Sequence, residues 1–162
     1  MTPASEPANS RIEKRVLIKA NPSIVYHALT DAHDLVRWFC DRASSDPQVG
    51  GELAAYWRKG KNGQRGRAVY VRAEPNLAVE LLWIDDGSGP DPDNAHHRIT
   101  YSIRTTRQRD TEVVMRDEDN SPSADAEVRA ILEEGWNTVL LELKDFCERR
   151  ERSGKTRQRS DE

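Results

Sequence analysis

The sequence DAEVRAILEEGWNTVLLELKDFCERR, residues 125–150, decides the fold. Its apolar residues recur at steps of three and four, which predicts one long amphipathic helix. About 25 residues at 1.5 Å per residue give a rod of roughly 40 Å, long enough to cross a small domain. Gly135 interrupts the apolar pattern, at a cost of about 1 kcal/mol relative to Ala. Such a gap indicates either the close approach of another element or a cavity.

Upstream of this helix, the chain has the alternation and the turn residues of β-strands. Short connections between successive strands favour antiparallel pairing, because parallel strands need long crossovers. The predicted strands are residues 11–20, 47–57, 65–74, 76–85, 98–106 and 111–117.

Alternation gives the predicted sheet one apolar and one polar face, and the long helix is the only long amphipathic element that can cover the apolar one. Two short helices, residues 22–30 and 32–36, follow the first strand, and Asn21-Pro22 is a typical helix start. We therefore predict an α+β fold, a curved antiparallel sheet of about six strands wrapped around a long C-terminal helix.

Composition limits both the organisation of the chain and its classes of partner. A length of 162 residues suits one domain, which we place at residues 11–151, between polar tails at 1–10 and 152–162 that we predict to be disordered. The net charge of −3 argues against nucleic acid. No apolar run reaches the ~20 residues of a membrane span, and no signal peptide is visible. We expect a cytoplasmic protein.

Motifs for catalysis or metal binding are missing from the sequence. It contains no nucleophile elbow, phosphate loop or paired acid–base motif. The adjacent His96 and His97 would point to opposite faces of a strand, which does not suit a metal site. We predict no catalytic residue, no metal and no cofactor, and an enzyme is the less expected class.

Several motifs occur in a fixed order: KANP at residues 19–22, LVRWF at 35–39, DPQVGG at 46–51, LW at 82–83 and EGW at 134–136. In this order they resemble the START-like helix-grip superfamily, also called SRPBCC, and within it the branch homologous to the activator of the heat-shock protein 90 ATPase. The resemblance covers about residues 11–148.

This resemblance implies a pocket between the sheet and the last helix, which in the superfamily holds lipids, sterols, polyketides or other apolar molecules. We therefore expect binding of a small hydrophobic or amphipathic ligand. A first alternative is a chaperone-linked interaction module with a role in the stress response, or a homodimer; it predicts a filled core and an exposed apolar patch. A second is a cyclase or hydrolase, which predicts displaced pKa values in the pocket.

The predicted ligand-binding residues are apolar or aromatic, as pocket linings usually are. They are Trp38, Phe39, Trp57, Tyr70, Trp83, Tyr101, Ile103, Ile131, Gly135, Trp136 and Val139. Plain core packing, with Gly135 making room for a tryptophan of the sheet, is the alternative for the helix residues. Trp38 and Phe39 form either the mouth of the pocket or pins for the short helices. For Tyr70, a register shift of one residue would reverse the face it occupies.

Overall fold

The computed structural model describes residues 10–58, 64–84, 95–119 and 126–160. In chain order, the elements are β1 Ser10–Ile18, α1 Pro22–Thr30, α2 Ala32–Trp38, β2 Arg42–Ser45, β3 Glu52–Trp57, β4 Gln64–Glu74, β5 Ala78–Ile84, β6 Ala95–Thr105, β7 Thr111–Asp119 and α3 Ala126–Ser160. No helix within the described residues is long and apolar enough to cross a membrane.

The strands form one seven-stranded sheet in the order β1-β7-β6-β5-β4-β3-β2, and every neighbouring pair is antiparallel. The predicted α+β helix-grip fold is confirmed. The prediction lacked the short edge strand β2, because its sequence RASS has no apolar alternation. It also began the next strand too early, since residues 46–51 form a turn in which Gly50 has a φ of +88°.

The two short helices share one capping residue. Asn21 caps α1 by accepting the backbone N–H of Ser23, and Pro22 occupies the first helical position. Asp31 then ends α1 and starts α2, since its carboxylate accepts the backbone N–H of Asp34. The chain therefore turns sharply between the helices, which allows both to pack on the same side of the sheet.

The inner face of the sheet carries the core. Leu81 on β5, Ile99 on β6 and Val113 on β7 all point inward and are buried. Helix α1 packs on β5 and β6, whereas α3 packs mainly on β1 and α1. The helices thus cover different parts of the inner face of the sheet.

Polar contacts fix the C-terminal half of α3. The carboxylate of Glu148 accepts the backbone N–H of Lys19 at 2.9 Å, and Arg150 forms an ion pair with the buried Asp34 of α2. The helix continues to Ser160, so the predicted domain boundary at residue 151 lies inside it. Residues 152–160 contain no proline, and the helix passes through Gly154, where an added Cβ would meet no atom within 4 Å.

Only one side of α3 is buried. Leu140, Leu143 and Cys147 face the core, whereas Gly135 is exposed and Ile131 is 70% exposed. A helix turns by about 100° per residue, so the five-residue step from Gly135 to Leu140 places their side chains roughly 140° apart. The prediction that Gly135 lies in the middle of the apolar face is therefore wrong.

We expect Gly135→Ala to raise the free energy of unfolding by up to about 1 kcal/mol, because alanine loses less backbone entropy in a helix than glycine does. A Cβ at Gly135 meets no atom within 4 Å, so no clash opposes the gain. Chemical denaturation followed by circular dichroism measures it. Gly50→Ala is the control, and it should destabilise the protein because φ is +88° there. A loss of stability for Gly135→Ala would contradict the exposed position.

Candidate functional site

A cleft lies between the α1–α2 pair and the inner face of the sheet. The helices contribute apolar and aromatic side chains from one side, and β3, β5 and β6 contribute them from the other. The lining residues are Leu29, Leu35, Trp38, Phe39, Leu53, Leu81, Trp83 and Tyr101. The space open to the centre of a water molecule is about 10 Å³. A volume of roughly 10–15 Å³ on this measure holds one water, so side chains almost fill the cleft.

Three aromatic residues hold the end of α2 against the rest of the fold. The indole N–H of Trp38 donates to the carbonyl of Ala28 at 2.9 Å, and that of Trp57 donates to the carbonyl of Phe39 at 2.6 Å. The Phe39 ring lies 5.2 Å from the rings of both Trp38 and Trp57. The Trp38 side chain therefore links α2 to α1. Phe39 is half-buried at the edge of the cleft, and its hydrogen bond to Trp57 involves its backbone carbonyl rather than its side chain.

A glycine of the sheet makes room for two tryptophans. A Cβ at Gly66 would lie 2.8 Å from the Trp83 ring and 3.3 Å from the Trp57 ring. Neither distance allows a methyl group without movement of the rings. The glycine that accommodates tryptophan is thus Gly66 on β4, and the alternative that gave this role to Gly135 is wrong.

A buried carboxylate connects α3 with two strands. Asp117 of β7 is 4% exposed; one of its oxygens lies 3.1 Å from Nδ1 of His97, and the other accepts the indole N–H of Trp136 at 2.8 Å. A buried carboxylate needs such partners, because leaving it without them costs much of its hydration energy. This cluster is a polar link between the N-terminal half of α3 and the sheet.

Sequence reasoning missed this cluster. His97 lies on the same inward-facing row of β6 as Ile99 and Tyr101. Asp117 likewise continues the row of Val113 and Met115 on β7. Strict period-two alternation could have identified both residues as inward-facing polar side chains.

Two tyrosines of the inner face stay protonated at neutral pH. Burial, with a contribution from the nearby charge of Asp117, raises the pKa of Tyr101 far above its usual value. Burial also raises the pKa of Tyr70 to about 12, although its hydrogen bond with Ser45, at 2.7 Å, acts in the opposite direction. The Tyr101 ring meets the edge of Trp136 at 6.3 Å, which places it between the cleft and the Asp117 cluster.

The predicted ligand-binding residues fall into three groups. Trp38, Phe39, Trp83 and Tyr101 line the cleft. Trp57 and Trp136 do not line it but contact Phe39 and Tyr101, respectively. The remaining five residues do not line the cleft: Tyr70 and Ile103 are buried, Val139 is half-buried, and Ile131 and Gly135 are exposed.

A comparison with known protein families identifies one family for this chain. A family model described as Activator of Hsp90 ATPase homolog 1-like protein matches residues 19–148. No curated protein matches the chain in a sequence comparison.

Solved structures share the fold at low sequence identity. A protein of Mesorhizobium loti is 18% identical, with a TM-score of 0.70 over 86% of this chain and 98% of its own. The Aha1 dimer of Colwellia psychrerythraea is 24% identical, with a TM-score of 0.69 over 86% and 96%. An AHSA1-like protein of Aeromonas hydrophila is 18% identical, with a TM-score of 0.69 over 86% and 92%.

We expect Trp136→Phe to lower the free energy of unfolding by about 1–3 kcal/mol, because one oxygen of the buried Asp117 loses its donor. Urea denaturation followed by circular dichroism measures the loss. The same substitution in an Asp117→Asn background is the control, since no buried charge is then left without a partner. An equal loss in both backgrounds would mean that Trp136 contributes only by packing.

Proposed function

Because the chain belongs to the family of Activator of Hsp90 ATPase homolog 1-like proteins, we propose that it binds a small apolar or amphipathic molecule in the cleft between the α1–α2 pair and the sheet. The aromatic lining of the cleft is the observation that carries this proposal. Trp38, Phe39 and Trp83 are only half-buried, and together with Tyr101 they surround the remaining space. Aromatic walls with a few polar groups are typical of small-molecule sites.

Binding requires the cleft to open, since its free space holds about one water. Phe39 is the side chain best placed to move: it ends α2, is half-buried and keeps the Trp57 hydrogen bond through its backbone carbonyl. The buried Leu53 and Leu81 form the fixed floor. Burial of each CH₂ group of a ligand contributes about 0.8 kcal/mol, which offsets the displacement of such a ring.

Tyr101 supports an amphipathic rather than a purely apolar ligand. Its hydroxyl forms no hydrogen bond with another described residue, and its raised pKa keeps it protonated as a donor. It lies at the cleft on the side of Asp117, whose charge disfavours an anionic group there. We therefore propose that a neutral hydroxyl or carbonyl group of the ligand accepts a hydrogen bond from Tyr101.

A second candidate is a protein-interaction module, and the nearly filled cleft favours it. On this proposal, the exposed Ile131 and Leu141 of α3 contribute to a surface for another protein. A chaperone fits the description of the family, and a second copy of the chain fits the Colwellia relative, which is a dimer. The first candidate needs the cleft to open, whereas the second leaves it closed. A cytoplasmic location is part of both proposals.

Titration with a dansyl-labelled fatty alcohol, whose hydroxyl group is neutral, tests the first candidate. We expect saturable binding that excites the dansyl group by energy transfer from the tryptophans beside the cleft. Phe39→Ala should accelerate uptake several-fold, because the ring that must move is gone. Val36→Ala is the control: Val36 lies on the same helix but is exposed outside the cleft, so uptake should not change.

Identical uptake by all three proteins would place the probe outside the cleft. No saturable uptake by any of them would contradict ligand binding and favour the interaction module.

A further inference from the structure

A group of arginines lies on the outer face of the sheet, opposite to the cleft. Arg42 on β2 and Arg65 on β4 flank Tyr56 on β3, which lies between them in the strand register. Their guanidinium carbons lie 5.9 and 5.8 Å from the centre of the Tyr56 ring. Because the two arginines come from strands on opposite sides of β3, their cation–π contacts orient both towards the ring.

Arg58 and Asp41 complete this surface, which we call the arginine groove: Asp41, Arg42, Tyr56, Arg58 and Arg65. The groove is open and has a volume of about 490 Å³. The Asp41 carboxylate accepts the backbone N–H of Arg58 at 2.6 Å. One carboxylate among three guanidinium groups leaves a net positive charge of 3 − 1 = 2 in the groove.

Other arginines on the strands form ion pairs. Each of them pairs with a glutamate on the same or a neighbouring strand. The distances between the arginine nitrogen and the glutamate oxygen are 2.5 Å for Arg67, 2.8 Å for Arg72, 2.6 Å for Arg98, 3.1 Å for Arg104 and 2.8 Å for Arg116. Within the described part of the chain, Arg42, Arg58 and Arg65 have no carboxylate within ion-pair distance. The groove therefore lacks the arginine–glutamate ion pairs seen elsewhere on the strands. It is positively charged, although the chain as a whole carries a net charge of −3.

We propose that the arginine groove is a docking site for an acidic polypeptide segment. Guanidinium groups bind carboxylates through two parallel hydrogen bonds, and three of them within one groove suit successive Asp or Glu side chains. Nucleic acid fits less well, because base stacking needs a free aromatic face and two guanidinium groups already lie over the Tyr56 ring. The groove lies on the outer face, so docking there leaves the cleft accessible.

Fluorescence anisotropy with a fluorescein-labelled deca-glutamate peptide tests this proposal. We expect saturable binding at low ionic strength that weakens as salt is added, because salt screens exposed charges. The double variant R42Q/R65Q should weaken binding by about 10-fold, through loss of two charge pairs at an open site. The variant R104Q/R107Q is the matched control: it removes the same charge from the C-terminal end of β6 and the turn that follows it, outside the groove, and should change the affinity less than about 2-fold.

Three results would overturn the proposal. The first is no binding of the peptide at low ionic strength. The second is an equal loss of affinity in the two double variants, which would indicate a general effect of net charge. The third is tighter binding of deca-thymidylate than of the peptide with the same dependence on Arg42 and Arg65, which would assign the groove to nucleic acid. Thermal unfolding of each variant confirms that it is folded before its affinity is compared.

Discussion

The apolar inner face of the sheet must be removed from water, and the rest of the structure depends on this constraint. On the inward rows of β5, β6 and β7, Leu81 lies opposite Ile99, and Ile103 lies opposite Val113. At about 25 cal/mol per Å² of apolar surface, leaving such a face exposed would cost more than a domain of this size can offset. The α1–α2 pair and α3 cover different parts of this face, and the cleft lies under the α1–α2 pair.

This division explains why the cleft is both aromatic and nearly full. An indole fills a larger gap than an aliphatic side chain does, and its N–H group can reach a backbone acceptor at the edge of the cleft, as that of Trp38 does. The same side chains can serve as a core without a ligand and as a lining with one. The residues that pack the core at the cleft are therefore the same ones that would contact a ligand. On the proposed function, ligand binding depends on how readily the Phe39 side chain moves.

The sequence determined the larger features better than the local ones. Period-two alternation predicted the sheet and its inner face correctly, because each strand contributes several residues to the pattern. The side of α3 that faces the core was misjudged at Ile131 and Gly135, since a broad apolar stripe tolerates residues that lie just outside it. The pairing of His97 with Asp117 joins residues on different strands and depends on register, which no local pattern contains.

Native mass spectrometry tests the central claim, that the cleft accepts an apolar molecule, most directly. The chain would be purified gently, incubated with a total lipid extract, separated from free lipid and compared with its denatured mass. We expect an additional non-covalent mass corresponding to one small amphipathic molecule per chain, retained in Val36→Ala. A native mass equal to that of the polypeptide alone, both before and after incubation, would show that the cleft does not bind such a molecule.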